Sequence, residues 1–139
     1  MPERLRAITS LLRKYVADRR RIPRFRVRLE VAVSLFDLRA ATPWSKPIIG
    51  YTRDVSADGL GLILPAIRSD DRYLVGQDQT LRVTLRLLGG SVRIYTTPVR
   101  YERLEEGQTD SGFFVGVRIN EMDEQDRKLF NEYLLSLKK

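Results

Sequence analysis

Two short clusters carry side chains able to hold an anion or a heterocycle. The first is Arg19-Arg20-Arg21-Ile22-Pro23-Arg24, with an Arg-x-x-x-Arg spacing at Arg20 and Arg24. A guanidinium is a planar fork that binds phosphate bidentately, donates to the O6 and N7 acceptors of guanine and stacks flat on a base. Pro23 narrows the unfolded freedom of the run and so lowers the cost of ordering it around a ligand. By itself the run is also explained as a solvated linker with nonspecific affinity for anions. The second cluster is Asp54-Val55-Ser56-Ala57-Asp58-Gly59. An ionised Asp54 accepts from the N1 and N2 donors of a guanine, and the Ser56 hydroxyl both donates and accepts. Gly59 permits a positive φ or a close approach to a ligand. The plain alternative is a hairpin corner in which Asp54 and Ser56 bond their own backbone.

The rest of the alphabet narrows the chemistry. The 139 residues contain no histidine and no cysteine, which removes the usual general base, thiol chemistry and the commonest metal ligands. Carboxylates occur in runs, at Glu102, Glu105, Glu106 and Asp110, at Asp70-Asp71, and at Asp123, Glu124 and Asp126. The first two runs read as solvated loop and strand-end surface, and the last as acidic residues favourable at a helix N-terminus. No enzyme, metal or cofactor is expected. Charge is segregated: residues 1–28 hold ten basic residues against Glu3 and Asp18, a surplus of eight, whereas residues 29–139 hold fifteen basic and sixteen acidic residues. A neutral body with a cationic N-terminal segment points to an anionic partner at one place.

Periodicity supplies the elements that must position these clusters. Leu5, Ile8, Leu12, Tyr15 and Val16 recur at spacings of three and four, predicting an amphipathic helix over residues 4–17. Pro23 stops helical continuation, so residues 18–25 are expected to be an extended, arginine-dense linker. From Arg26 the period becomes two, with Val27, Leu29, Val31, Val33 and Leu35 on one face. Further strands are expected over 48–54, 59–64 and 81–87, then a hairpin at Gly89-Gly90. The return strand carries Val92, Ile94 and Thr96 inward and resumes at Val99 and Tyr101, which predicts a bulge or bend at Pro98. Phe113, Val115, Val117 and Ile119 make the last strand, and a helix beginning near Asp123 closes the chain. Trp44 is expected to cover the barrel, and Tyr51 and Tyr101 to pack in it.

Six strands joined without strand-helix-strand alternation predict a mainly β fold, a six-stranded antiparallel β-barrel with an N-terminal and a C-terminal helix. The expected division is residues 1–18 for the N-terminal helix and 19–139 for the barrel domain with its arginine-rich linker. No stretch nears the roughly 20 apolar residues of a membrane span, and no signal peptide is evident, so the expected compartment is the cytoplasm.

Arg19-Arg20-x-x-x-Arg24 ahead of the first barrel strand, with Asp54-x-Ser56-x-x-Gly59 at a strand-turn-strand thirty residues on, resembles the PilZ-domain family of bacterial cyclic di-GMP receptors. The ending Val115-Gly116-Val117-Arg118-Ile119 before a helix resembles the last strand of that family. The resemblance covers about residues 19–138. It implies that Arg20 and Arg24 grip the phosphates and the guanine Hoogsteen edge, and that Asp54, Ser56 and Gly59 form the platform receiving a guanine. It further implies that Arg19 can stack on a base, favouring an intercalated pair of ligand molecules. Arg21 has no assignable role. The implied partners are cyclic di-GMP and a downstream protein, with no stable nucleic-acid complex and no membrane span. The chain is expected as a monomer or as a homodimer through the N-terminal helix. A different reading is a nonspecific nucleic-acid or anionic-membrane module using the basic N-terminal segment, although only Phe25 interleaves an aromatic ring with the arginines.

Overall fold

The alternation that opens at Val27 becomes regular strand only at Glu30. In the computed structural model, which describes residues 22–69, 72–76, 79–104 and 112–138, the elements are β1 (Phe25–Arg26), β2 (Glu30–Asp37), β3 (Thr42–Pro43), β4 (Ile48–Val55), β5 (Gly59–Leu64), β6 (Arg68–Ser69), β7 (Arg72–Tyr73), β8 (Leu81–Leu87), β9 (Gly90–Arg103), β10 (Phe113–Met122) and helix α1 (Glu124–Leu137). The helix expected over residues 4–17, the boundary at residue 18, and Arg19 and Arg20 lie outside the described residues.

Strands β4, β5, β10, β9, β8 and β2 pair in that order, and β2 pairs back to β4. The result is a closed six-stranded antiparallel barrel, with β1 appended to β4 and β3 to β2. Closure pairs both edges of the sheet. Inward side chains follow the two-residue period: Val31, Val33 and Leu35 of β2, Leu60, Leu62 and Leu64 of β5, and Leu81, Val83, Leu85 and Leu87 of β8 are all buried. One end is covered by α1, which buries Phe130 and Leu134 in the core. Its N-cap is Asp123, its first turn holds Glu124 and Asp126, and Asp126 Oδ2 accepts from the Arg93 amide at 3.1 Å. The segment between β5 and β8 contributes Leu74 to the core.

Four details differ from expectation. Residues 27–29 are not strand, because Thr52 takes the place of ladder partners: its hydroxyl accepts from the Leu29 amide at 2.9 Å and donates to the Val27 carbonyl. The end of the expected linker is not loose, since Phe25 pairs with Val55 and Arg26 with Asp54. The hairpin tip is Leu88-Gly89, with Leu87 opposite Gly90, whose φ of 141° only glycine adopts readily. A bulge does occur beside Pro98, but Pro98 itself takes the inward place opposite Val117 and Val99 is the extra residue. Tyr101 regains the face of Val115, yet both Val99 and Tyr101 are more than half exposed, because β9 runs on past the core. Tyr51 is half-buried beneath the Arg28 guanidinium, 3.8 Å from its ring centroid. Trp44 is 47% exposed, so it is a partial cover, with Arg72 stacked on it at 3.9 Å. Among the described residues no helix is long and apolar enough to cross a membrane.

Candidate functional site

Strict alternation along β4 would turn Asp54 into the core with Thr52. The structure avoids this through a second bulge: Thr52 pairs with Leu62 and Asp54 with Gly61, leaving Arg53 as the extra residue. Thr52 and Val55 therefore remain inside, while Arg53 and Asp54 share the outer wall, a use of bulges to re-aim a side chain. β1 then brings Arg24 to this wall. Its Nη1 lies 3.5 Å from Asp54 Oδ1, and Arg53 Nε lies 3.6 Å from Asp54 Oδ2. These are ion-pair distances, longer than the 2.7–2.9 Å of a charge-assisted hydrogen bond. The Asp54 side chain is only 13% exposed, and its Oδ1 is buried without a hydrogen-bond partner among the described residues. A buried carboxylate oxygen with spare accepting capacity is the kind of exception that calls for an explanation.

The floor beside Asp54 is bare backbone. Gly61 of β5 pairs with Gly116 of β10. A Cβ on Gly61 would stand 2.9 Å from both Asp54 carboxylate oxygens and 2.8 Å from the Phe114 ring, and one on Gly116 would press on Arg100 at 3.3 Å. Phe114 is buried although it points away from the core, with Arg53 3.9 Å and Arg100 5.2 Å from its ring centroid. Next to it opens a pocket of about 400 Å³ lined by Arg24, Arg100, Phe114, Gly116 and the bulged Val99. Two guanidiniums on one carboxylate and a third over the Phe114 ring leave the wall electropositive, with an aromatic ring and little side-chain relief. Such a surface suits a planar, anionic molecule.

Ser56 and Gly59 are occupied otherwise. The buried Ser56 hydroxyl donates to Asp58 Oδ1 at 2.7 Å and accepts from the Gly59 amide at 3.1 Å, while the Ser56 amide donates to the Gly59 carbonyl at 3.0 Å. Gly59 does not have a positive φ; glycine is required there because a Cβ would meet the Val117 carbonyl oxygen at 2.9 Å. The structure thus joins Arg24 to Asp54, sets Ser56 and Gly59 in the turn that ends β4, and leaves Arg19 and Arg20 outside the described residues. Arg53, Arg100, Phe114, Gly61 and Gly116 escaped the sequence reading. The available signal was glycine inside two apolar strands, in Leu60-Gly61-Leu62 and Val115-Gly116-Val117, which often marks a close approach. Among the described residues no group of His, Cys, Asp and Glu side chains is placed to hold a metal ion.

Comparison with known proteins bears on the fold and the family. No curated protein sequence matches the chain. Solved structures do. The PilZ domain of YcgR from Escherichia coli, determined with c-di-GMP, aligns with a TM-score of 0.57 at 11% identity, covering 86% of this chain and 92% of that one. The Bacillus subtilis inhibitor of motility, MotI/DgrA, aligns with a TM-score of 0.56 at 14% identity over 83% of this chain and 48% of its own. MrkH, a c-di-GMP-dependent transcription regulatory factor, gives 0.56 at 17% identity over 84% and 50%. The chain thus spans about half the length of the latter two. These likenesses establish a shared barrel fold, and the PilZ domain profile matches residues 18–136, nearly the whole sequence. With both arginine and aspartate motifs inside that span, the chain belongs to the PilZ domain family.

Proposed function

We propose that the chain is a receptor for cyclic di-GMP that signals by ordering its arginine-rich linker over the barrel wall. The observation carrying this reading is the meeting of Arg24 with a carboxylate whose Oδ1 still lacks a hydrogen bond, beside a pocket large enough for a base. Asp54 accepts from the N1 and N2 donors of a guanine. Arg24 swings from Asp54 to a phosphate and, with Arg20, grips the phosphates and the Hoogsteen edge. Arg19 stacks on a base and favours a second, intercalated ligand molecule. Ser56 and Gly59 serve by holding the turn that sets the platform, and Arg100 adds a cation at the pocket. The function is binding, with no chemical step, and the output is a changed surface for a downstream protein.

The energetics are adequate. Each hydrogen bond to a charged group contributes about 1.5–3 kcal/mol, and three or four offset the roughly 1–2 kcal/mol per residue of ordering the linker backbone. Binding and ordering of the linker ahead of Ile22 are then one event, since Phe25 is already paired to β4, and whatever precedes residue 18 moves with it. Titration calorimetry with cyclic di-GMP is the test. Wild type should bind at roughly tens of micromolar or tighter, about −6 kcal/mol, and Arg20→Ala, Arg24→Ala and Asp54→Ala should each lose most of that heat. No wild-type binding, or variants that bind as well, overturns the reading. The cationic segment also permits nonspecific phosphate binding; that behaviour falls steeply with salt and ignores the base, whereas the proposed site prefers guanine to adenine cyclic dinucleotides at moderate salt.

A further inference from the structure

Away from the wall just described, a groove of about 240 Å³ runs between Pro23 and Phe25, Ala57, and the Asn131, Leu134 and Leu135 side of α1. With Lys138 at its edge the groove has seven lining residues, four of them aliphatic or aromatic beyond alanine, and of these Leu135 is 59% exposed. A largely apolar groove, opened where the chain enters the barrel, calls for an apolar ridge. The sequence holds one immediately upstream: Leu5, Ile8, Leu12, Tyr15 and Val16. We propose that the groove is the docking site for residues 4–17 of the same chain, packed as an amphipathic helix along α1.

Length and tether favour this occupant. As a helix, fourteen residues span roughly 21 Å, the same as the fourteen-residue α1. Between Ala17 and Ile22 the chain reaches at most about 18 Å, which keeps a helix ending at Ala17 close to the groove, since Pro23 is part of its lining. A tether this short gives an effective concentration of roughly millimolar, so even a weak contact is occupied. Docking does not require cyclic di-GMP and stands apart from that reading. The two meet because Pro23 and Phe25, which form the groove, flank Arg24, and Ala57 lies inside the Asp54–Gly59 motif. A rearrangement of Arg24 is therefore felt in the groove through its two neighbours.

The absence of cysteine in the chain makes the test direct. A nitroxide on Ser136→Cys, an exposed position next to Leu135, should broaden the amide resonances of residues 4–17 in isotope-labelled full-length protein, without any nucleotide present. Leu135→Lys and Leu12→Asp should each restore those resonances. Leu12→Asp lies outside the barrel, so it reads the contact even if Leu135→Lys disturbs α1. Resonances of residues 4–17 that are unaffected by the label, or broadened equally in both variants, overturn the proposal. So does broadening that passes only from spin-labelled to isotope-labelled molecules in a mixture, which would make a second copy the occupant.

Discussion

Two of the arginine–aromatic clusters among the described residues, each beside a carboxylate and a pocket, look alike in composition. On the β4–β5–β10–β9 wall, Arg53 and Arg100 flank Phe114 beside Asp54 and a pocket of about 400 Å³. Toward the ends of β2 and β8, Arg72 stacks on Trp44 and Arg82 lies 5.9 Å from the Phe36 ring, beside Asp37 and a pocket of about 330 Å³. The difference is what each carboxylate still has to give. Asp37 Oδ1 accepts from the Arg39 amide at 2.9 Å and the Ala40 amide at 3.3 Å, closing the loop in which Ala41 takes a φ of 55°. Asp54 Oδ1 has an ion pair to Arg24 but no hydrogen bond among the described residues, and it looks onto a glycine floor. Rings, cations and a cavity are common to both clusters, and each holds a buried atom without a hydrogen bond among the described residues; in the second it is a donor, Arg82 Nε, and in the first an acceptor, Asp54 Oδ1, set over bare backbone.

The largest expected effect breaks this contrast at the two aspartates. Asp54→Ala removes at least two charge-assisted bonds to a guanine, about 3 kcal/mol or more, so affinity for cyclic di-GMP should fall about a hundredfold or beyond recognition by calorimetry. Asp37→Ala should leave affinity unchanged and cost roughly 1 kcal/mol of stability, as a lost backbone cap does, visible as a lower urea midpoint. Equal losses of binding in the two variants would remove the distinction between the clusters. Next comes the floor. Gly61→Ala forces a methyl against the Asp54 carboxylate and Phe114, which should weaken binding more than tenfold and destabilise the barrel by about 1–3 kcal/mol. Gly76, near the other cluster in sequence, has only ordinary contacts with Gln79 at 3.5 Å. Gly76→Ala should therefore bind normally, and a binding loss there would show that affinity tracks overall stability rather than the platform.

What the sequence made legible follows the same division. The inward faces of β2, β5, β8 and β10 and the start of α1 were readable because burial on one side of a strand imposes a period of two, and burial on one side of a helix a period near four. Arg24 and Asp54 were readable as a pair only through motif order; their contact depends on β1, two residues long, which no periodicity announces. Ser56 and Gly59 were read toward a ligand, whereas the plain alternative of a self-bonded turn describes their geometry. Arg53, Arg100 and Phe114 fall on outward positions of the alternation, but their meeting beside Asp54 depends on the bulges at Arg53 and Val99, and a one-residue insertion into a ladder has little signature beyond Pro98. Side chains converging from β4, β9 and β10 meet by register alone.

The smallest expected difference separates the arginines, and it asks whether a cation over a ring matters by itself. Arg100→Ala removes a guanidinium that lines the candidate pocket, while Gly116 and Phe114 beneath it stay in place. One charge-assisted contact is worth about 1.5–3 kcal/mol, so affinity should drop roughly tenfold to a hundredfold. The lower end is expected because Arg24 can take over part of the phosphate contact. Arg100→Lys should recover part of the loss, most clearly at low salt, since it keeps the charge but not the planar fork. Arg72→Ala removes a stack at 3.9 Å from a half-exposed ring, a contact worth about 0.5–1 kcal/mol at such sites. It should lower stability by no more than that and leave binding untouched. If Arg72→Ala weakened cyclic di-GMP binding as much as Arg100→Ala, the effect would belong to the net positive charge of the molecule. A loss confined to Arg100 instead ties recognition to the one cluster whose carboxylate has an oxygen left to offer.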